Sequence, residues 1–192
     1  MNRFLAFLAI TILICVAAIA APATEAEQRA RRDAFRGFAE RFVGEWECVV
    51  EEWNGRDAAP VWSDRQRRVF EMTMSRHFLQ ERALLKTADG REHEPGLHLT
   101  TFDPQSDHVV QHGFWLPLQP DPLFRIEGRI EGKGYTGKMR IREEGGAHDV
   151  RPYAIRWRDD GTWVVEVTDS LPDGKVFLRE RLTYTRTKPA TE

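Results

Sequence analysis

Six histidines are the residues through which this chain most directly invites chemistry, because imidazole is the commonest metal ligand and titrates near neutrality. Their spacing argues against a metal. His108 and His112, four apart, would share one face of a strand yet sit about 13 Å from each other, too far to hold one ion. No H-E-x-x-H is present, and the histidine pattern does not fall on a helix, so neither a zinc site nor any other cofactor is assigned. A single axial ligand is all a haem needs. His98 and His112 are the candidates for that role, set against the simpler reading of satisfied or exposed imidazoles.

Charged side chains that interrupt an apolar rhythm are the next source of chemistry. In 78–84 one alternating face reads Phe78, Gln80, Arg82, Leu84, and in 176–182 one face reads Val176, Leu178, Glu180, Leu182. A buried charge persists only when paired or bound by a ligand, so Arg82 and Glu180 are candidates for a polar floor beneath a bound molecule, or for a cross-strand structural pair. The cluster Arg65-Gln66-Arg67-Arg68 reads as a solvated outer face. Tyr135, Tyr153, Arg82 and Glu180 are the acid–base groups available to a dry pocket. No G-x-S-x-G elbow, phosphate loop or dinucleotide fingerprint occurs in a fitting context, and no carboxylate pair is singled out.

These groups need elements to position them, and the turns announce which. Asn54-Gly55, Asp89-Gly90, Gly145-Gly146, Asp160-Gly161 and Asp173-Gly174 punctuate the chain, with looser reversals at 103–106 and 132–134. Tight hairpins need positive φ, which Asn, Asp and Gly tolerate. The runs between them alternate or are apolar and aromatic: 43–53, 67–74, 77–86, 96–102, 108–115, 123–131, 135–142, 149–158, 163–169 and 176–185. Consecutive hairpins bury an apolar face and lose their edges by closing, so an all-β, antiparallel up-and-down barrel of about ten strands is predicted. Before it, 24–43 is helical, with Phe35, Phe38, Ala39 and Phe42 on one stripe that must cover something apolar, either as a plug or as a gate.

The ends and the charge bound the rest. Arg3, the apolar run from Phe4 to Val16 and the small residues to Ala21 have the three parts of a secretory signal, so 1–20 are expected to be removed, leaving 21–42 as the helical segment and 43–187 as the barrel. The apolar run is short for a membrane span, and the expected location is periplasmic or extracellular. The chain carries 28 basic and 30 acidic residues; loss of Arg3 leaves 27 against 30. Mixed charge near neutrality argues against a nucleic-acid groove. With Cys15 in the signal, Cys48 stands alone and reads as a buried small hydrophobe.

Gly44-x-Trp46 at the entry to the first strand resembles the start of lipocalin-like, calycin-type barrels, in which the Trp closes one end. Ser75 to Gln80, Gly96 to Asp103, and Asp173-Gly174-Lys175 with Leu182 to Arg186 are similar to a bacterial lipocalin-like domain family of unknown function, in order and over most of the chain from Phe42 to Arg186. His98 and the Pro-rich stretch 116–122 depart from that pattern. The resemblance implies the barrel; the hairpin series and the aromatic-rich interior add the expectation that it holds a small, largely apolar or amphipathic ligand. The rings of Trp46, Phe78, Phe114, Trp115 and Tyr135, with Arg82, His98 and Glu180, are the expected contacts, and entry is expected opposite Trp46, near 116–122. A cofactor-independent isomerase, cyclase or lyase using the same cavity, and a filled structural barrel of the envelope, stay open as alternatives.

Overall fold

The computed structural model describes residues 24–55, 59–87, 89–115, 123–142, 148–159, 161–171 and 173–187. The expected signal segment, the Pro-rich stretch 116–122, Gly145-Gly146 and Asp160 lie outside the described residues. The chain divides into two units, 1–31 and 32–192, and the barrel lies entirely in the second.

The helix α1, Glu25–Glu40, starts where its sequence provides a capping box. The Glu27 amide donates to Thr24 Oγ1 at 3.3 Å, and the Glu27 carboxylate accepts from the Thr24 amide at 2.7 Å, so two otherwise orphaned donors are satisfied. At the other end the chain tightens, with Phe42 N donating to Ala39 O, and then turns into the first strand at Gly44, whose φ of 126° is a conformation that a side chain resists. The predicted apolar stripe is buried: Phe35, Phe38, Ala39 and Phe42 are each 7 % exposed or less.

Ten strands follow: β1 (Gly44–Glu52), β2 (Trp62–Thr73), β3 (Phe78–Lys86), β4 (Glu92–Asp103), β5 (His108–Trp115), β6 (Phe124–Glu131), β7 (Gly134–Arg142), β8 (His148–Asp159), β9 (Thr162–Ser170) and β10 (Val176–Arg186). Each pairs antiparallel with the next, and β1 closes on β10 from Trp46↔Arg186 to Glu52↔Glu180, giving a closed ten-stranded up-and-down barrel. The turn residues act as their types require: Gly55, Gly90, Gly132 and Gly174 all have positive φ, and Asp103 and Asp173 side chains accept from the amides two residues on.

Several strands extend beyond the runs read from sequence. β2 begins at Trp62 rather than Arg67, and β4 begins at Glu92, ahead of Pro95. A proline lacks the ladder donor, and β4 accommodates it in a bulge: the register passes from Ala83↔Gly96 to Leu85↔His93, so Glu94 and Pro95 face Leu84 alone. A second bulge in β10 carries the register from Leu178↔Thr168 to Glu180↔Val167. Arg179 absorbs the extra position, and its carbonyl accepts from the Trp53 amide at 2.9 Å.

Candidate functional site

Residues 35–42 and the ends of the strands fill one end of the barrel with rings. Phe42 meets Trp163 edge to face at 4.7 Å between centroids, Trp163 stacks on Tyr184 at 3.7 Å, and Trp46 packs against Trp157 and Trp163. Trp46 is 0 % exposed and its indole donates to Phe42 O at 2.6 Å. The arginines close this end from outside, with Arg41 over Trp157 at 4.2 Å and Arg186 over Trp46 at 4.1 Å. A void of about 30 Å³ remains there, beside Phe38, Phe42, Tyr135 and Trp163.

Toward the other end the barrel stays open inside. A cavity of about 340 Å³ lies between apolar walls that include Val50, Phe124, Ile126, Met139, Val165 and Val167, and polar side chains converge on it from Gln66, Arg68, Glu81, His98, Gln111 and Glu180. The volume is at the small end of the range for ligand sites. Gly113 shapes one wall: it lies between His98 and Phe124 in the register, and a Cβ placed on it would come within 2.2 Å of the Phe124 ring. With hydrogen there instead, Phe124 lies across the strand and meets the His98 ring edge to face at 5.0 Å.

The polar centre of the cavity is Glu81, 5 % exposed. Arg68 Nη1 donates to Oε1 at 2.9 Å, Tyr184 Oη donates to the same oxygen at 3.2 Å, and His98 Nδ1 lies 2.7 Å from Oε2. Burial alone would push this carboxyl up. The charges of His98 and Arg68, with hydrogen bonds from His98 and Tyr184, outweigh it and hold the group at about 2. An ionised Glu81 only accepts, so Nδ1 of His98 is the donor, and no described side chain is hydrogen-bonded to Nε2. Arg68 is 7 % exposed; its Nη2 also donates to Gln66 Oε1, while its Nε has no partner.

Glu180 is the second interior carboxyl and differs in kind. It makes no hydrogen bond or ion pair with any described residue, and it stands directly opposite Glu52 across β1 and β10. Burial, and then the nearby charge of Glu52, raise it above the ordinary carboxylate range. Tyr153 and Tyr184 are likewise raised, chiefly by burial. Burial pushes the Cys48 thiol up to about 12, so it packs as an apolar group.

His98 and Glu180 therefore line the same cavity. Trp46 and Tyr135 are interior but belong to the closed end, where Tyr135 Oη donates to Val109 O at 3.1 Å. The inner face of β3 is Leu79, Glu81, Ala83, which corrects the placement of Arg82 and Phe78: both are on the outer wall, and Arg82 pairs there with Glu71 at 3.4 Å and Glu94 at 3.5 Å. Phe114 and His112 are also outer-face residues, since Gln111 and Gly113 hold the inner positions of β5. The side chain of Trp115 lies outside the described residues. The β10 bulge corrects a further point, because Glu180 shares its face with Leu182 and Tyr184 but not with Leu178.

Glu81, Arg68, Gln66 and Gln111 escaped sequence reading. Arg68 sits in a run of three arginines in four residues, and only its register partner Trp46 shows which of them turns inward. The alternation Gln66, Arg68, Phe70, Met72 carries the signal, masked by equally polar neighbours. Among the described residues no group of three His, Cys, Asp or Glu is placed to hold a metal ion, and no helix is long and apolar enough to cross a membrane.

Comparison with protein-family models gives no match, and neither does comparison with curated proteins. Among solved structures, a redesigned beta barrel is similar over 78 % of this chain and 95 % of its own, at 10 % identity and a TM-score of 0.37, a likeness too low to carry an argument.

Proposed function

We propose that this chain is a small-molecule-binding barrel that holds an amphipathic ligand of modest size in the open half of its interior. The observation that carries this reading is the cavity of about 340 Å³, with apolar walls and polar side chains arriving from β2, β3, β4, β5 and β10. A barrel built only as a structural element gains nothing from leaving that volume empty, since every unfilled contact costs dispersion energy. The polar floor is Arg68, Glu81 and His98 instead of Arg82. The resemblance to lipocalin-like barrels points the same way, and Arg3, the following apolar run and Ala20 support export to the periplasm or beyond.

The test is native mass spectrometry of the protein recovered from its own host, followed by fluorescent-probe binding to the delipidated barrel. A co-purifying small molecule, or saturable probe binding that Val165→Phe abolishes while the fold persists, is the expected result. Probe binding that Val165→Phe leaves unchanged would place the site elsewhere and remove the proposal.

One observation favours a second reading, that of a cofactor-independent acid–base enzyme. His98 is oriented by Glu81 through Nδ1, while Nε2 is left for a substrate, and Glu180 lines the same cavity as a carboxyl disposed to keep its proton. Tyr135, engaged with Val109, has no part in it. Turnover of an enolisable carbonyl compound, lost in both His98→Gln and Glu180→Gln, would decide for the enzyme over the binder.

A further inference from the structure

The charges that face the interior do not cancel. Register and lining place Glu52 on β1, Asp64 and Arg68 on β2, Glu81 on β3, His98 on β4, Asp149 and Arg151 on β8, Asp169 on β9 and Glu180 on β10 on the inner side, whereas β5, β6 and β7 contribute no charge there. Each described interior arginine beside the cavity is already matched. Arg68 is paired with Glu81, and Arg151 with Asp149 and, at 3.6 Å, with Asp169. Glu52 and Glu180 have no cationic partner among the described residues, yet they occupy directly opposed positions on adjacent strands, where like charges repel. Trp62, 45 % exposed, continues the same row, paired with Glu52 across β1 and β2 and lining the cavity. Two carboxyls and an indole thus stand in one line at the entrance to an apolar space.

Resting on the ligand-binding reading above, we propose that the molecule this barrel takes is a monocation with an apolar body, an alkyl- or aryl-ammonium compound, whose nitrogen sits at Glu180 and Glu52 beside Trp62. Its body extends inward between Ile126, Met139, Val165 and Val167. A cation there relieves the repulsion of the opposed carboxyls and meets an aromatic ring, both of which favour ammonium groups. A carboxylate would add negative charge to a mouth that already faces two carboxyls, and Arg68 and His98, the basic side chains lining the cavity, are both engaged by Glu81. Among the described residues no third His, Cys, Asp or Glu joins the two carboxyls, which makes a bare metal ion a poor occupant. Burial and Glu52 favour the protonated form of Glu180 while Arg68, Arg151 and His98 oppose it, so an arriving cation tips it toward the ionised form; affinity for the amine strengthens as pH rises through the range where Glu180 titrates, and binding releases protons in that range.

The experiment titrates the delipidated barrel with phenylbutylamine, phenylbutanol and phenylbutyrate, which share one body and differ in charge. Calorimetry in two buffers of different ionisation enthalpy counts the protons released. The amine is expected to bind about tenfold tighter than the alcohol and the carboxylate to bind weakest, which is about 1.4 kcal/mol per tenfold step. Glu180→Gln, with Glu52→Gln as the second variant should the first not fold, is expected to abolish the preference and the proton release while leaving the alcohol within about threefold. Alcohol or carboxylate binding as tightly as the amine overturns the charge assignment and leaves the cavity reading standing. Failure of all three to bind, with the fold intact, overturns both.

Discussion

At the scale of single residues, Glu81 organises the interior. Three donors from three other strands converge on one buried carboxylate, so its charge is compensated where an isolated one would be untenable. Glu81→Gln keeps the shape but leaves Arg68 buried without its counter-charge, and breaking such a pair costs about 3 kcal/mol, measurable by urea unfolding at neutral pH. The pH dependence follows from the same group. Its folded pKa of about 2 lies below the value of an unfolded glutamate, so its contribution is complete above roughly pH 4.5 and is lost as the pH falls toward 2. The difference in stability between parent and Glu81→Gln should therefore shrink through that window; a constant difference would show that the carboxylate is not what the pair relies on.

At the scale of elements, the strands decide function through register and its interruptions. The β10 bulge puts Glu180 inside and Leu178 outside, and the β4 bulge lets Pro95 stay in a ladder. Gly113 is the corresponding device in β5, and its role is room, not backbone conformation. Adding a methyl there gains a few tenths of a kcal/mol from a stiffer unfolded chain, but overpacking against Phe124 costs about 1 to 3 kcal/mol, so the second effect wins. Gly113→Ala is expected to lower stability by about 1 kcal/mol and to swing Phe124 away from His98, read as a loss of the ring-current shift on the imidazole protons; unchanged shifts would refute the packing account. These element-level details mark the limit of the sequence reading. Ten strands, their order and the apolar stripe of α1 were legible because periodicity and turn chemistry are local signals. The inner face of β3 was not, because Phe78, Gln80, Arg82, Leu84 and Leu79, Glu81, Ala83 are about equally polar, and only pairing with Phe70 and His98 distinguishes them.

At the scale of the whole molecule, the barrel divides its interior between stability and binding. One end is packed with Phe42, Trp46, Trp157, Trp163 and Tyr184, while the other holds the cavity. Phe42 packs against four rings, those of Phe38, Phe70, Trp157 and Trp163, so Phe42→Ala should cost about 3 to 5 kcal/mol by removing both transfer energy and packing. The same change should leave binding at the open end within about twofold once allowance is made for the unfolded fraction, because Phe42 lines the small void at the packed end and not the cavity. Thermal unfolding together with probe titration checks both halves of that expectation; ligand affinity falling in step with stability would mean that the two ends are one cooperative site.

Sequence by itself determined that this chain is an antiparallel barrel preceded by a helix and that Cys48 is buried, since turn residues, alternation and apolar stripes act over a few residues at a time. Tertiary structure alone decided that Arg68, Glu81, His98 and Tyr184 meet, that Arg82, Phe78 and Phe114 face outward, and that Glu52, Glu180 and Trp62 share a row at the mouth. The physical reason is that a strand shows the same alternation whichever face turns inward: a shift of one position exchanges every side chain between wall and interior, and that choice is made by bulges and by partners far away in the chain.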